Sequence, residues 1–167
     1  RVGLFSGEAA QKTEAELVAE VKASPQMKGS NLSDDVTTSS AYVVAPVGQK
    51  RFTVAAVDLG IKAMTPQLMA QRGIEVHVVP ASISPDELLK IGVDGIFFSN
   101  GPGDPATADH AVGLAKAALA AKRPFFGICF GNQILGRALG FSTYKLKYGQ
   151  RGINQPVQDR TTGKVEV

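Results

Sequence analysis

A single cysteine, Cys129, stands between two glycines in the run Gly127-Ile128-Cys129-Phe130-Gly131. This G-x-C-x-G pattern has the layout of a nucleophile elbow, a sharp turn between a strand and a helix that lifts the nucleophile clear of the backbone. The positive N-terminal end of the following helix stabilises a thiolate, which is a strong nucleophile at neutral pH. The pattern predicts a covalent nucleophile at Cys129, with buried packing of the thiol as the alternative.

A second segment that could contact a ligand is 99–105, which contains Gly101, Pro102, Gly103 and Pro105. The prolines fix the backbone, and the glycines let a ligand approach main-chain N–H groups. In the elbow, the N–H of Phe130 can face a developing oxyanion. A rigid connecting loop without a ligand is the alternative interpretation.

Candidates for a general base are few, because the chain has two histidines, His77 and His110. His77 lies inside a predicted strand, which favours a structural role. His110 lies near the start of the helix that follows segment 99–105, so it stays a candidate base. We expect no metal site and no cofactor in this chain.

Alternating strands and helices must position these residues. Apolar patterning predicts strands at 52–57, 75–79, 95–98 and 124–128, and helices at 63–72, 85–92, 108–121 and 130–139. The third and fourth strands are apolar on both faces, which is typical of a parallel sheet covered on both sides. We therefore predict an α/β fold with a doubly wound, mostly parallel sheet. Ligands bind at the carboxyl ends of such strands, where Cys129 and segment 99–105 both lie.

Residues 1–48 have a different character. They are predicted to contain a helix at 13–23, a short helix from residue 31 or 33 and an extended stretch at 37–44, with too little apolar material for a core. They are interpreted as the end of a preceding domain or as an extension packed on the main one. A boundary is predicted between residues 48 and 51.

Composition excludes several classes of protein. The 167 residues are 44% hydrophobic and 20% charged, unlike a disordered, collagen-like or coiled-coil chain, and no apolar run is long enough to span a membrane. The net charge is +3, and residues 137–167 carry six basic and two acidic side chains. That modest basic stretch favours a solvated face or an acidic partner over nucleic acid. A lone thiol suits a reducing cytoplasm.

The two motifs together resemble those of class I (triad-type) glutamine amidotransferases. Residues 127–133 are similar to the nucleophile motif of that family, and residues 99–105 are similar to its oxyanion loop. Within this superfamily, stretches 36–38, 58–62 and 147–157 resemble the family of carbamoyl-phosphate synthetase small subunits. The resemblance implies that residues 1–48 are the tail of an N-terminal domain plus a linker. Residues 51–167 would then be a flavodoxin-like glutaminase domain whose C-terminal part is missing.

The resemblance also implies a mechanism. Cys129 attacks the side-chain amide of L-glutamine, ammonia leaves, and water hydrolyses the resulting thioester. The N–H groups of Gly101 and Phe130 hold the oxyanion, while Gly101, Gly103, Phe130 and Gln133 bind glutamine. The catalytic histidine and glutamate of the family are expected after Val167, since neither histidine of this chain matches the motif.

The implied partner is a large subunit that uses ATP and Mg²⁺ to convert bicarbonate and ammonia into carbamoyl phosphate, for arginine and pyrimidine synthesis. No phosphate-binding G-x-x-x-x-G-K-[ST] motif occurs in this chain. Three alternatives remain open. They are another triad glutamine amidotransferase, a non-catalytic glutaminase-like binding module, and a small cysteine-elbow protein acting as a redox sensor or hydrolase.

Overall fold

The structure, a computed structural model, describes residues 2–147, 149 and 154–167. Its centre is a five-stranded sheet in the order β1-β3-β2-β4-β5. The strands are β1 Tyr42–Val44, β2 Phe52–Asp58, β3 Ile74–Pro80, β4 Gly95–Phe98 and β5 Phe125–Gly127. Strands β2 to β5 pair in parallel, whereas β1 is antiparallel to β3. The four predicted strands and the mostly parallel sheet are confirmed.

Six helices accompany the sheet in the described part of the chain. They are α1 Glu14–Ala23, α2 Ser33–Val36, α3 Met64–Ala70, α4 Pro85–Lys90, α5 Asp109–Ala120 and α6 Phe130–Ala138. Short 3₁₀ turns cover Gly7–Gln11 and Pro105–Thr107, and a small hairpin pairs β6 Val157–Gln158 with β7 Val165–Glu166. Helix α4 begins at Pro85, as predicted, and the side chain of Ser84 caps its N-terminus.

Two apolar clusters cover the two faces of the sheet. On one face, Val57 and Phe98 pack with side chains of α4, α5 and α6, including the fully buried Ile134. On the other, Val76 and Phe97 pack with Met69 of α3. Because successive strand residues point to opposite faces, helices lie on both sides, and the doubly wound prediction is confirmed.

Strand β5 differs from its prediction as a strand buried on both faces. Phe126 is 63% exposed, although its ring still stacks with that of Phe97. The reason is that β5 lies at one edge of the sheet. Helix α3, on the same face as Phe126, packs against β1 and β3 at the opposite edge and does not cover this side chain. Apolar patterning alone does not distinguish a central strand from an edge strand.

The N-terminal residues also contribute to this unit. Strand β1 extends the central sheet even though it precedes the predicted boundary at residues 48–51, and that boundary stays a prediction. Residues 148 and 150–153, part of the stretch 147–157 that carried the resemblance, lie outside the described residues. Within the described ranges, no helix is long and apolar enough to cross a membrane.

Candidate active site

Cys129 lies at the junction of β5 and α6. Its backbone has φ 55° and ψ −108°, a conformation that residues with a side chain rarely adopt and that costs free energy. The residue is exposed, which argues against the buried-packing alternative. A strained, exposed residue between a strand and a helix has the geometry of a nucleophile elbow.

The two glycines of the motif make this tight turn sterically feasible. A Cβ atom at Gly127 would lie 2.5 Å from the carbonyl carbon of Gly131, and one at Gly131 would lie 2.3 Å from the carbonyl oxygen of Phe98. The Gly131 N–H donates to the Ser99 carbonyl at 3.1 Å, and the Ile128 N–H donates to the Phe98 carbonyl at 3.1 Å. These contacts fix the elbow against the end of β4.

Phe130 and Gln133 occupy the first turn of α6. The backbone N–H groups of a first turn have no intrahelical acceptor, and that of Phe130 has no other acceptor within the described part of the chain. Gln133 is exposed, and its own N–H donates to the Cys129 carbonyl at 3.1 Å. The Phe130 N–H is therefore available to an anion beside the thiol.

The loop that carries Gly101 leaves the sheet beside the elbow. Strands β4 and β5 are parallel neighbours, with Phe98 opposite Gly127, so both loops start from the same edge of the sheet. At Gly101 a Cβ atom would lie 2.0 Å from the carbonyl oxygen of Leu59, so this position requires glycine. The structure thus brings the predicted oxyanion loop and the predicted nucleophile to adjacent strand ends.

A hydrogen-bond network beneath the loop joins it to the connection after β2. The fully buried Ser99 hydroxyl accepts from the Leu59 N–H at 2.9 Å and donates to the Asn100 carbonyl at 2.8 Å. The Asn100 side-chain amide donates to the Gly60 carbonyl at 3.0 Å. The first part of the loop is therefore fixed to residues 59–60.

Asp58 stabilises the connection to which the loop is attached. It is 5% exposed, and its carboxylate accepts the N–H groups of Gly60 at 2.8 Å, Ile61 at 2.7 Å and Thr38 at 2.8 Å. In the sequence, Asp58 belongs to a family-like stretch that indicates no role for its side chain. The structure shows that this carboxylate also holds the N-terminal segment.

Gly103 and Asp104 tie the second half of the loop to residues 29–32. Gly103 has φ +107°, and a Cβ atom there would lie 3.0 Å from the Ser30 carbonyl oxygen. The Asp104 carboxylate accepts the Gly29 N–H at 2.8 Å and the Ala106 N–H at 3.0 Å. These two backbone hydrogen bonds hold the pKa of Asp104 below its ordinary value of 3.8. The sequence motif indicated no role for Asp104, although an aspartate before a proline is typical of an N-cap.

A pH dependence follows for the contact between Asp104 and Gly29. Because folding lowers the pKa of this carboxyl, its stabilising effect is complete above the unfolded-state pKa and is lost as the pH falls through the folded-state pKa. We expect the Gly29 amide resonance to titrate in two-dimensional NMR with a midpoint below 3.8. An Asp104→Asn variant should lack this transition, and a midpoint above the ordinary value would contradict the assignment.

The two histidines do not complete a catalytic pair with Cys129. His77 Nε2 lies 3.0 Å from a carboxylate oxygen of Glu75, which agrees with its predicted structural role. His110 Nε2 lies 2.9 Å from the Ile83 carbonyl oxygen. Neither ring hydrogen-bonds Cys129 within the described ranges, so these residues do not assemble a general base. Those ranges also contain no group of three or more side chains suited to hold a metal ion.

Curated relatives match the chain along its whole length. The carbamoyl phosphate synthase small chains of Streptomyces avermitilis and Streptomyces coelicolor are 66% and 65% identical to it over 167 residues. That of Mycobacterium tuberculosis is 54% identical over 170 aligned residues. The chain spans 44% of the length of the two Streptomyces proteins and 45% of the third.

A structural relative and a family model agree with the observed fold. A solved structure from Thermoplasma acidophilum, of a protein assigned to GMP synthase, superposes with a TM-score of 0.50 and 27% identity. The match covers 60% of this chain and 51% of that one. The family model for class-I glutamine amidotransferases matches residues 55–167, which include the β4 loop and the cysteine elbow. The chain belongs to the class-I glutamine amidotransferase family.

Proposed function

We propose that this chain is the part of a glutamine-hydrolysing carbamoyl phosphate synthase small chain that carries the nucleophile. The observation that carries the proposal is the exposed Cys129, held at φ 55° on a strand-to-helix elbow beside the loop of Gly101. Matches at 54–66% identity over the whole of this chain to proteins of that name support this choice among the amidotransferases.

The proposed reaction proceeds through a thioester. The Cys129 sulfur bonds to the side-chain amide carbon of glutamine, the C–N bond breaks, and ammonia leaves after protonation of its nitrogen. Water then attacks the thioester, which releases glutamate and restores the thiol. Each step passes through an oxyanion, and the N–H groups of Phe130 and Gly101 are its proposed donors.

Glutamine binding is proposed to involve Gly101, Gly103, Phe130 and Gln133. Gln133 is exposed on the first turn of α6, and its side-chain amide can both donate and accept hydrogen bonds. Gly101 and Gly103 can contact a ligand only through their backbone groups, because the space that a side chain would need is occupied by Leu59 and by Ser30, respectively. This set offers hydrogen-bonding groups that suit the amide end of this substrate.

The general base is proposed to come from residues outside this chain. His77 and His110 contact Glu75 and Ile83, respectively, and not Cys129. A nucleophile without its base loses most of its catalytic effect, because members of a triad act as one unit. Activity is therefore expected in the full-length protein.

We further propose that the ammonia is consumed by a large subunit. Using ATP, Mg²⁺ and bicarbonate, it would form carbamoyl phosphate in the cytoplasm for arginine and pyrimidine synthesis. Residues 137–167 carry six basic and two acidic side chains, which suits contact with an acidic partner surface.

Isotope transfer tests the function and separates it from the alternatives. The full-length protein should convert glutamine labelled with ¹⁵N at its side-chain amide into equimolar glutamate and labelled ammonia. With the large chain of the same organism, bicarbonate and ATP, the label should appear in carbamoyl phosphate. Label in another acceptor only would indicate a different amidotransferase, and glutamine binding without turnover would indicate a binding module; either result would overturn the proposal.

A further inference from the structure

Residues 29–32, called here the backing segment, lie against the outer half of the loop that carries Gly101. The Asp104 N–H donates to the Ser30 carbonyl at 2.8 Å, and the Gly29 N–H donates to the Asp104 carboxylate at 2.8 Å. The Thr107 hydroxyl lies 3.4 Å from the same Ser30 carbonyl oxygen. Backbone and side chain of Asp104 are thus both fixed to the backing segment.

The first part of the loop, at Gly101 and Pro102, packs against residues 59–60. Gly101 has no room for a side chain beside Leu59, and a Cβ atom at Gly60 would lie 3.1 Å from Pro102 Cδ. Gly103 packs closely against the backing segment, because a Cβ atom added there would lie 3.1 Å from the Leu32 nitrogen. The loop is therefore held between residues 59–60 and residues 29–32.

We propose that Asp104 is a positioning residue whose carboxylate, by tying the oxyanion loop to the backing segment, fixes the direction of the Gly101 N–H. The proposal rests on the proposed function, in which that N–H stabilises the oxyanion. Asp104 lies three residues beyond Gly101. The intervening residues are Pro102, with a fixed φ, and Gly103, which packs closely against the backing segment. A shift at Asp104 is consequently transmitted to Gly101 by a short and constrained segment.

The expected kinetic signature is a change in kcat with little change in KM. An oxyanion donor acts most strongly where charge develops, in the transition state, and more weakly on the neutral amide of the bound substrate. A displacement of about 1 Å at such a donor lowers the rate by up to about 100-fold. Loosening the loop without removing the donor should therefore lower kcat by about 10-fold and leave KM within about twofold.

Asp104→Asn and Asp94→Asn form a matched pair of variants. Asp94 also accepts a backbone N–H from a distant part of the chain, that of Thr53 at 2.7 Å. This bond joins the starts of β2 and β4, at the end of the sheet opposite the elbow. An amide keeps one acceptor oxygen, so the substitution at 104 must weaken the acceptance of the Gly29 or Ala106 N–H, which now use different carboxylate oxygens. The substitution at 94 leaves an acceptor for the Thr53 N–H, and only position 104 adjoins the oxyanion loop.

Three measurements on the full-length protein test the proposal. Steady-state glutamine hydrolysis should show the loss of kcat in Asp104→Asn and not in Asp94→Asn. Alkylation of Cys129 by iodoacetamide should proceed at the wild-type rate in both variants, because it requires the thiolate and no oxyanion donor. Amide hydrogen exchange in peptides covering residues 100–107 should accelerate only in Asp104→Asn.

Each outcome has a distinct meaning. Unchanged kcat in Asp104→Asn overturns the proposal, whether or not exchange accelerates, and so does an equal loss of kcat in Asp94→Asn. Slower alkylation of Cys129 in Asp104→Asn would also overturn it, because the effect would then act through the thiol. Absence of glutamine turnover in the wild-type protein overturns the proposed function instead, and the exchange measurement still reports whether Asp104 holds the loop.

Discussion

Replacing Cys129 by serine should abolish glutamine hydrolysis, with kcat falling by about 10⁴-fold or more. Serine preserves the shape of the elbow, but its hydroxyl is a far weaker nucleophile than a thiolate at neutral pH. The variant should bind glutamine normally, since the backbone donors of Phe130 and Gly101 are unchanged. Glutamate release by the full-length protein measures the first effect, and glutamine binding by calorimetry measures the second.

Stability measurements on the same position provide the control. Cys129 is exposed, so Cys129→Ser should change the free energy of unfolding by less than about 0.5 kcal/mol. Cys129→Gly should raise it by about 1 kcal/mol, because glycine relieves the strain of φ 55°. Loss of activity together with unchanged or increased stability would show that the strained cysteine serves catalysis. A Cys129→Ser enzyme that still hydrolyses glutamine would contradict the nucleophile assignment.

Gly131→Ala should destabilise the fold by about 3 kcal/mol or more, since overpacking against main chain cannot be relieved by a rotamer change. Its Cβ atom would lie 2.3 Å from the Phe98 carbonyl oxygen and 2.7 Å from the Phe98 carbonyl carbon. Both atoms belong to the backbone of β4, so relief requires the helix to move away from the sheet. Chemical denaturation followed by circular dichroism measures the loss.

Gly136→Ala provides the matched control in the same helix. A Cβ atom at Gly136 would meet nothing within 4 Å, and glycine inside a helix costs about 0.5–1 kcal/mol relative to alanine. The same substitution five residues along α6 should therefore stabilise the protein. Equal effects at Gly131 and Gly136 would show that α6 does not pack closely on β4.

Local patterns predicted the parts of the site that are close in sequence. The G-x-C-x-G run specified both the elbow at Cys129 and the start of α6, because its glycines and its nucleophile act within one turn. The loop at Gly101 was recognisable from its own composition, and parallel strand order brought it beside Cys129. Apolar runs bounded by turn residues identified each of the four parallel strands.

Contacts between distant residues were not predictable from such patterns. The Gly29–Asp104 hydrogen bond joins residues 75 positions apart and depends on an irregular segment that has no periodicity. Arg137 likewise links α6 to the loop after β4, donating to the Pro105 carbonyl at 2.8 Å and to Asp109 at 2.8 Å. An arginine near a helix C-terminus has many ordinary roles, so its type and position alone did not indicate this one.

Direct detection of the thioester tests the central claim most closely. The full-length protein is mixed with isotopically labelled glutamine, quenched rapidly in acid and digested, and the peptides are analysed by mass spectrometry. The account predicts a labelled glutamyl group on the peptide that contains Cys129, absent when glutamine is omitted and absent in Cys129→Ser. Glutamine consumption with the label on another residue, or with no covalent adduct at any quench time, would contradict the assignment of Cys129 as the nucleophile.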